Sequence, residues 1–510
     1  MSADQEESTA RRAARDFDLL STINGYPEIF SVFQGERLTL RIARKPGQIL
    51  RLPTLLLRAI WHYPLTAALR DRLLKARARR AANRPPKPAA HIRQVEVYDR
   101  ATGALVSRQT LDVPTPIFAE VPASHKDQGA NYTGSLSLDT AGWPPGVYEC
   151  VVQDGRGRAS QDIYVNVKPR SLDSIDVLCI LPSFTWQAYN RVGGGSFYSP
   201  ELGHVRTICC ERPMHHRSDN SILPALAILS VFHRAGTRVA CVDSWDLHNG
   251  LVPAGDVPVA AILVHDEYWS APMRAQIDRL LDRGTSLLVL SGNTCWWHID
   301  VEGPNLSVRK EPGKRDLWHL KGLAEEQTFV SSFRFAGYAM ERAIQKPRLA
   351  PRLAHLSRAE IHQAGAITVK APDHPLFAGV TLKDGCTFGE DVPVVYRELD
   401  GVPLKPDGSV DRRPYMAKNV SPRILATGLA ISGTNLRTVG LVVEADVRNA
   451  YVLHMGSIGW ARGVWRKDEE VTRVVLNAYE HCRARAPQRQ PQKVTNHDDI
   501  YDRRTAKTLP

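Results

Sequence analysis

No stretch of this chain is apolar for the roughly 20 residues that a membrane helix needs, so no helical membrane span is expected. The start, Met1-Ser-Ala-Asp-Gln-Glu-Glu, is acidic where a secretory leader is basic, and no apolar segment follows it. Cysteine is sparse and scattered: eight in 510 residues, with Cys209 and Cys210 adjacent and no CxxC pair. That argues against a disulfide framework or a thiolate zinc site, and for a reducing cytoplasm. No GxGxxG or P-loop string occurs, so nothing calls for a nucleotide. No internal repeat is visible.

What is present is ordinary for a globular protein of two or three domains: 43% hydrophobic and 24% charged residues. The excess of 66 Lys and Arg over 54 Asp and Glu gives +12. It gathers between Arg70 and Arg93 and again from Arg483 onward. With no nucleic-acid module beside them, these runs read as a solvated helix face and a disordered tail rather than a nucleic-acid surface.

Three grammars follow one another along the chain. Residues 1–21 are polar and read as a disordered N-terminus. Residues 22–170 hold short alternating segments such as Arg37-Leu-Thr-Leu-Arg-Ile-Ala43 and Gly146-Val-Tyr-Glu-Cys-Val-Val152, separated by turn residues. That pattern predicts an immunoglobulin-like β-sandwich. It is interrupted at about 52–83 by two helical patterns, the second strongly basic, which end at Asn83-Arg-Pro-Pro. From 171 to 485, buried strands alternate with helices, predicting a doubly wound, Rossmann-like and amidotransferase-like α/β domain. Within it, 300–435 is irregular and reads as elaborations covering the site. Residues 486–510 read as a disordered basic tail.

The α/β part is organised around Val257-Pro-Val-Ala-Ala-Ile-Leu-Val264, a run fit for a strand buried on both faces. It stops at His265-Asp-Glu-Tyr-Trp-Ser270, before a helical pattern that starts at Ala271-Pro. Ligands of open α/β sheets bind beyond the carboxyl ends of the strands, which makes this cluster a candidate site. In an extended segment His265 and Glu267 point to the same side. Other strand exits carry Thr185-Trp-Gln-Ala-Tyr-Asn190, Asp246-Leu-His248 and Ser291-Gly-Asn-Thr-Cys-Trp-Trp297.

Taken in that order, and with Phe333-Arg-Phe-Ala-Gly-Tyr338 and Gly456-Ser-Ile-Gly-Trp460, these strings resemble the large (β) subunit of N,N-dimethylformamidase and its homologues over roughly 175–480. Departures are Phe184, where the family often has asparagine, and the basic insertion. The resemblance implies an amidohydrolase that cleaves the C–N bond of a small amide. It also implies a mononuclear ferric iron held by two tyrosines and a glutamate. The glutamate maps onto Glu267 and the tyrosines onto Tyr189 and Tyr148, so that the ion would clamp the two domains. His265 takes the proton-moving role beside catalytic Glu267. Trp186, Asn190, Trp269, Asn293 and Trp296 are the candidates for the substrate pocket. Anionic oxygen donors suit a hard ferric ion. A homo-oligomer, with or without a separate small subunit, is expected.

Two other readings compete. Cys295 follows a strand where related amidotransferase-like folds carry a nucleophile, although its one nearby histidine is His298. A non-catalytic homologue could also keep the fold for binding alone.

Overall fold

Within the run Val257–Val264, Val259–Leu263 form a strand with every side chain buried, inside the largest sheet of the described residues, while Pro258 is half-buried and Val264 already turns away. The computed structural model describes residues 23–44, 90–115, 128–160, 163–193, 195–198, 205–214, 216, 221–344, 357–433 and 435–486. The helical insertion at 52–83, residues 1–21 and all of the tail but Ala486 lie outside these, as does the short β-like run at Ile117.

The N-terminal part is built from two sheets. One joins β1 (Ile23–Pro27), β3 (Arg37–Arg44) and β6 (Gly134–Asp139). The other runs β2 (Ser31–Phe33), β8 (Tyr164–Lys168), β7 (Gly146–Asp154), β4 (Ala90–Asp99) and β5 (Leu105–Thr115). Alternation decides what lies between them: β6 buries every second residue. Its Leu136 and Leu138 meet Val95, Val97, Tyr148, Cys150 and Val152 from the opposite sheet in one apolar core.

The second part holds β9 (Val177–Leu181), β10 (Val239–Asp243), β11 (Val259–Leu263) and β12 (Ser286–Leu290), followed much later by β17 (Ala450–His454). These five lie parallel in the order β10-β9-β11-β12-β17. Both faces are covered, which explains the uninterrupted apolar strands. One face, including Cys179, Ala261, Leu288 and Leu453, packs under helices α2 (Ile222–Arg234) and α5 (Glu469–Arg485). The other face, including Ile180, Ile262, Val289 and Val452, packs under α1 (Ser183–Tyr189), α3 (Ser244–Asn249) and α4 (Ala271–Asp282).

The sheet does not end there, and in this the structure departs from a purely parallel expectation. Antiparallel β16 (Asn435–Val447), β15 (Arg423–Ser432), β13 (Ser332–Tyr338) and β14 (Glu398–Gly401) continue it to eleven strands, with two short strands at Ile367–Val369 and Thr387–Phe388 attached. The stretch 300–435, read as covering loops, therefore supplies part of the sheet itself. The protein is β-rich and multidomain with a mixed sheet. Among the described residues no helix is long and apolar enough to cross a membrane.

The two parts meet through buried polar contacts. Lys168, at the end of β8, pairs with Asp246 in α3. Asn166 Nδ2 donates to the Cys241 carbonyl at 2.8 Å. A buried ion pair is costly to break from one side, so these contacts fix how the parts dock.

Candidate metal centre

Beyond Leu263 the chain turns sharply: Val264 has φ 57°, a left-handed conformation that strains a β-branched residue. The turn throws His265, Asp266 and Glu267 over the carboxyl end of the sheet. Helix α1, at the neighbouring exit, locks them there. Its Thr185 Oγ accepts hydrogen bonds from the backbone N–H of Glu267 (2.9 Å) and of Tyr268 (3.3 Å). One helical turn further on, on the same face, Tyr189 donates to Glu267 Oε2 at 2.9 Å.

Glu267 is almost wholly buried and collects donors from four directions. Tyr198 Oη lies 2.7 Å from both of its carboxylate oxygens. Trp297 Nε1 donates to Oε1 at 2.9 Å. His265 Nε2 stands 3.3 Å from Oε2. Behind Tyr198, Tyr268 donates to its hydroxyl at 2.8 Å and Lys310 bonds to Tyr268. The Lys310 ammonium also sits 3.8 Å from the centre of the Tyr198 ring. A second carboxylate, Glu398 at the start of β14, approaches His265 Nε2 at 3.5 Å and accepts from Asn293 Nδ2 at 2.9 Å. Gly292 makes this approach possible: a Cβ there would lie 2.1 Å from the Glu398 carbonyl oxygen.

Burial and charge oppose each other in this cluster. Burial pushes the phenols of Tyr189, Tyr198 and Tyr268 well above their ordinary range, and the Glu267 charge adds to it. Burial also lowers Lys310, to about 8, against the pull of Glu267 and Glu398. For His265 burial acts downward, but the bond to Glu267 and the charges of both carboxylates win, raising it to about 9. Its Nδ1 faces the Gly292 carbonyl at 2.9 Å and so carries a proton.

The expected site residues fall into two groups. His265, Glu267, Tyr189 and Asn293 come together. Trp296 is half-buried on the same loop as Asn293, against Phe333 and His319 at 5.2 and 5.1 Å. The rest lie elsewhere. Tyr148 is 1% exposed in the core of the N-terminal part; its hydroxyl donates to the Pro144 carbonyl and its ring lies 5.1 Å from Trp143. It is not brought to the cluster, because its strand turns that side chain between the two sheets. Trp186 packs on Phe30 and His216. Asn190 ties its own loop to the Pro213 carbonyl and to Gln187. Trp269 is core, bonded to the Asp266 carbonyl and edge-on to Phe329. Burial pushes the Cys295 thiol well up, the reverse of what a nucleophile needs.

Four residues of the cluster were not singled out from sequence: Tyr198, Tyr268, Lys310 and Glu398. Tyr268 stood inside the HDEYW string, and Tyr198 follows the same strand exit as Tyr189, after Gly193-Gly-Gly. Nothing near Lys310 or Glu398 marked either one.

The family model described as N,N-dimethylformamidase beta subunit-like, C-terminal, matches residues 90–470. The chain belongs to this family. No curated protein matches the chain. Among the described residues, two groups of side chains could hold a metal ion. One of them, His265, Glu267 and Glu398, belongs to the cluster just described, and the family match runs through all three residues.

Proposed function

We propose that the protein is an iron-dependent amidohydrolase cleaving the C–N bond of a small amide, with the ion held by Tyr189, Tyr198 and Glu267. The observation that carries this is the convergence of two stacked tyrosines on one buried carboxylate. Tyr198 here takes the place that the resemblance assigned to Tyr148. The donor set fits a ferric ion: all oxygen, anionic once the phenols ionise, and hard. Buried phenols give up their protons only to a cation, so binding releases protons. The family match supports hydrolysis of an amide; iron rests on the donor chemistry.

A ferric ion there supplies Lewis acidity toward an amide carbonyl and toward water. The chain's own residues do the rest. Glu398 Oε accepts a proton from water, with Asn293 Nδ2 holding the carboxylate in place. His265 holds a proton at Nε2 between Glu267 and Glu398 and delivers it to the amine leaving group. Trp296, Phe333 and Tyr338 pack edge to face in succession and would give the approach an apolar wall. We take residues 22–170 as an immunoglobulin-like domain and 171–485 as a Rossmann-like catalytic domain. The beta-subunit family supports a partner subunit, and cysteine usage supports a cytoplasmic setting.

A second reading uses the same cluster with His265, Glu267 and Glu398 as ligands. It is favoured by the His265 Nδ1–Gly292 bond, since metal-bound histidines characteristically donate their other nitrogen. Metal content and visible absorption of the purified protein separate the two readings. Iron near one per chain with a tyrosinate charge-transfer band supports the first. A colourless protein holding stoichiometric zinc overturns it.

A further inference from the structure

Away from this cluster, sharing no residue with it, lies the second group placed to hold a metal: His374, Glu444 and His481. We propose that these three side chains form a second, structural site for a divalent transition ion of the zinc class, clamping the C-terminal helix α5 to the sheet.

The three ligands come from three separate elements. His374 caps the short 3-10 turn Pro375–Phe377, Glu444 is on β16, and His481 is on α5. His374 Nε2 is 3.3 Å and His481 Nε2 3.7 Å from the same oxygen, Glu444 Oε2. The edge of a tetrahedron with metal bonds near 2.0–2.1 Å is about 3.4 Å, close to both of these separations, and all three ligand atoms lie within 4.8 Å of one another. Two imidazoles and one carboxylate are a donor set suited to zinc, and to iron(II), cobalt or nickel. The side chains are only 5%, 11% and 16% exposed, and a water would complete a four-coordinate ion.

The surroundings are already arranged. Tyr451 donates to Glu444 Oε2 at 2.5 Å and Arg423 to Oε1 at 2.8 Å, the kind of outer partner that orients a ligating carboxylate. One turn before His481, Asn477 Nδ2 donates to the carbonyls of Leu376 and Ala378, at 3.1 and 2.9 Å. That holds the helix bearing one histidine against the turn bearing the other. Binding replaces the hydrogen bonds of both histidines to Glu444 with metal bonds and gives up one weak bond besides: His374 Nδ1 accepts from the Leu376 N–H at 3.2 Å, and ligation through Nε2 moves the imidazole proton to Nδ1. Arg423 is 64% exposed on its side chain and can swing aside if its charge opposes the ion.

The test uses the full chain as purified, stripped of loosely held metal by brief chelation and then titrated with zinc chloride, with zinc and iron counted together. The wild type is expected to take up one further equivalent of zinc while its iron content and visible spectrum stay unchanged. Its melting temperature should rise by several degrees. His481→Gln, on the most exposed ligand, should bind this zinc at least 50-fold more weakly and lose the thermal response while keeping iron and colour. His374→Gln provides the same comparison should the first variant fold poorly. Zinc uptake and thermal response equal in wild type and variants, or no uptake by the wild type, overturns the proposal. Because iron and colour are read in the same samples, failure here leaves the reading of the Glu267 cluster intact, and the converse also holds.

Discussion

Tyr189 and Tyr198 lie ring on ring, their centroids 4.2 Å apart and their planes 18° from parallel, with both hydroxyls on the carboxylate of Glu267. Nine positions apart in one loop-bounded segment, they bring two phenol oxygens to one side of a buried acid without any contribution from the N-terminal part of the molecule.

Tyr189→Phe and Tyr198→Phe should each lower iron content and weaken and shift the visible band. Tyr148→Phe should leave the band unchanged and cost about 1 kcal/mol of stability through its lost bond to Pro144. Absorption spectra with metal analysis of the three variants decide the ligand set. A band that fades only in Tyr148→Phe returns the second ligand to that residue.

Within the cluster, His265→Ala and Glu398→Gln should both keep iron and colour. Each should lose about 10²–10⁴-fold in turnover of whichever amide is the substrate. Loss of metal from both would favour the alternative in which these two residues are themselves ligands.

Gly292→Ala should act like a mutation of Glu398, because the added methyl meets the Glu398 carbonyl oxygen at 2.1 Å and forces β14 away. Turnover should fall at least as far as in Glu398→Gln while the iron stays bound. Full activity in this variant would mean that Glu398 can leave its place without consequence.

Thr185→Val keeps the shape of the side chain but strands the buried N–H groups of Glu267 and Tyr268. A loss of about 1–3 kcal/mol follows from unsatisfied buried donors. Denaturant unfolding of the metal-free protein measures it, and weaker iron retention should accompany it.

His298 should make the protein acid-sensitive. Burial first, then Lys321, lower it to about 4 from an ordinary value near 6.5, so the folded state prefers the neutral ring. With a folded value below the unfolded one, the contribution is fully present above about 6.5 and is lost as the pH falls toward 4. The shift corresponds to about 3 kcal/mol at most. His298→Phe, which preserves the edge contact with Trp318, should flatten the fall in denaturant midpoint between pH 6.5 and 4. An unchanged slope removes His298 as its source.

Local pattern by itself determined a good deal here. An apolar run broken by His265-Asp-Glu267 marks a covered strand and its exit, because both the burial and the break are written in consecutive residues. Period two places His265 and Glu267 on one side, and the adjacent exit loop supplies Tyr189. The second tyrosine, the second carboxylate and the cation were decided only by tertiary structure. Tyr148 and Tyr198 are equally plausible phenols in sequence; one faces the interior of a sandwich and the other Glu267, and no local rule separates them. Glu398 reaches Asn293 across 105 residues because antiparallel strands extend the sheet and fold its far edge back over Gly292. Contacts of that span arise from strand order, which side-chain periodicity within a segment does not encode.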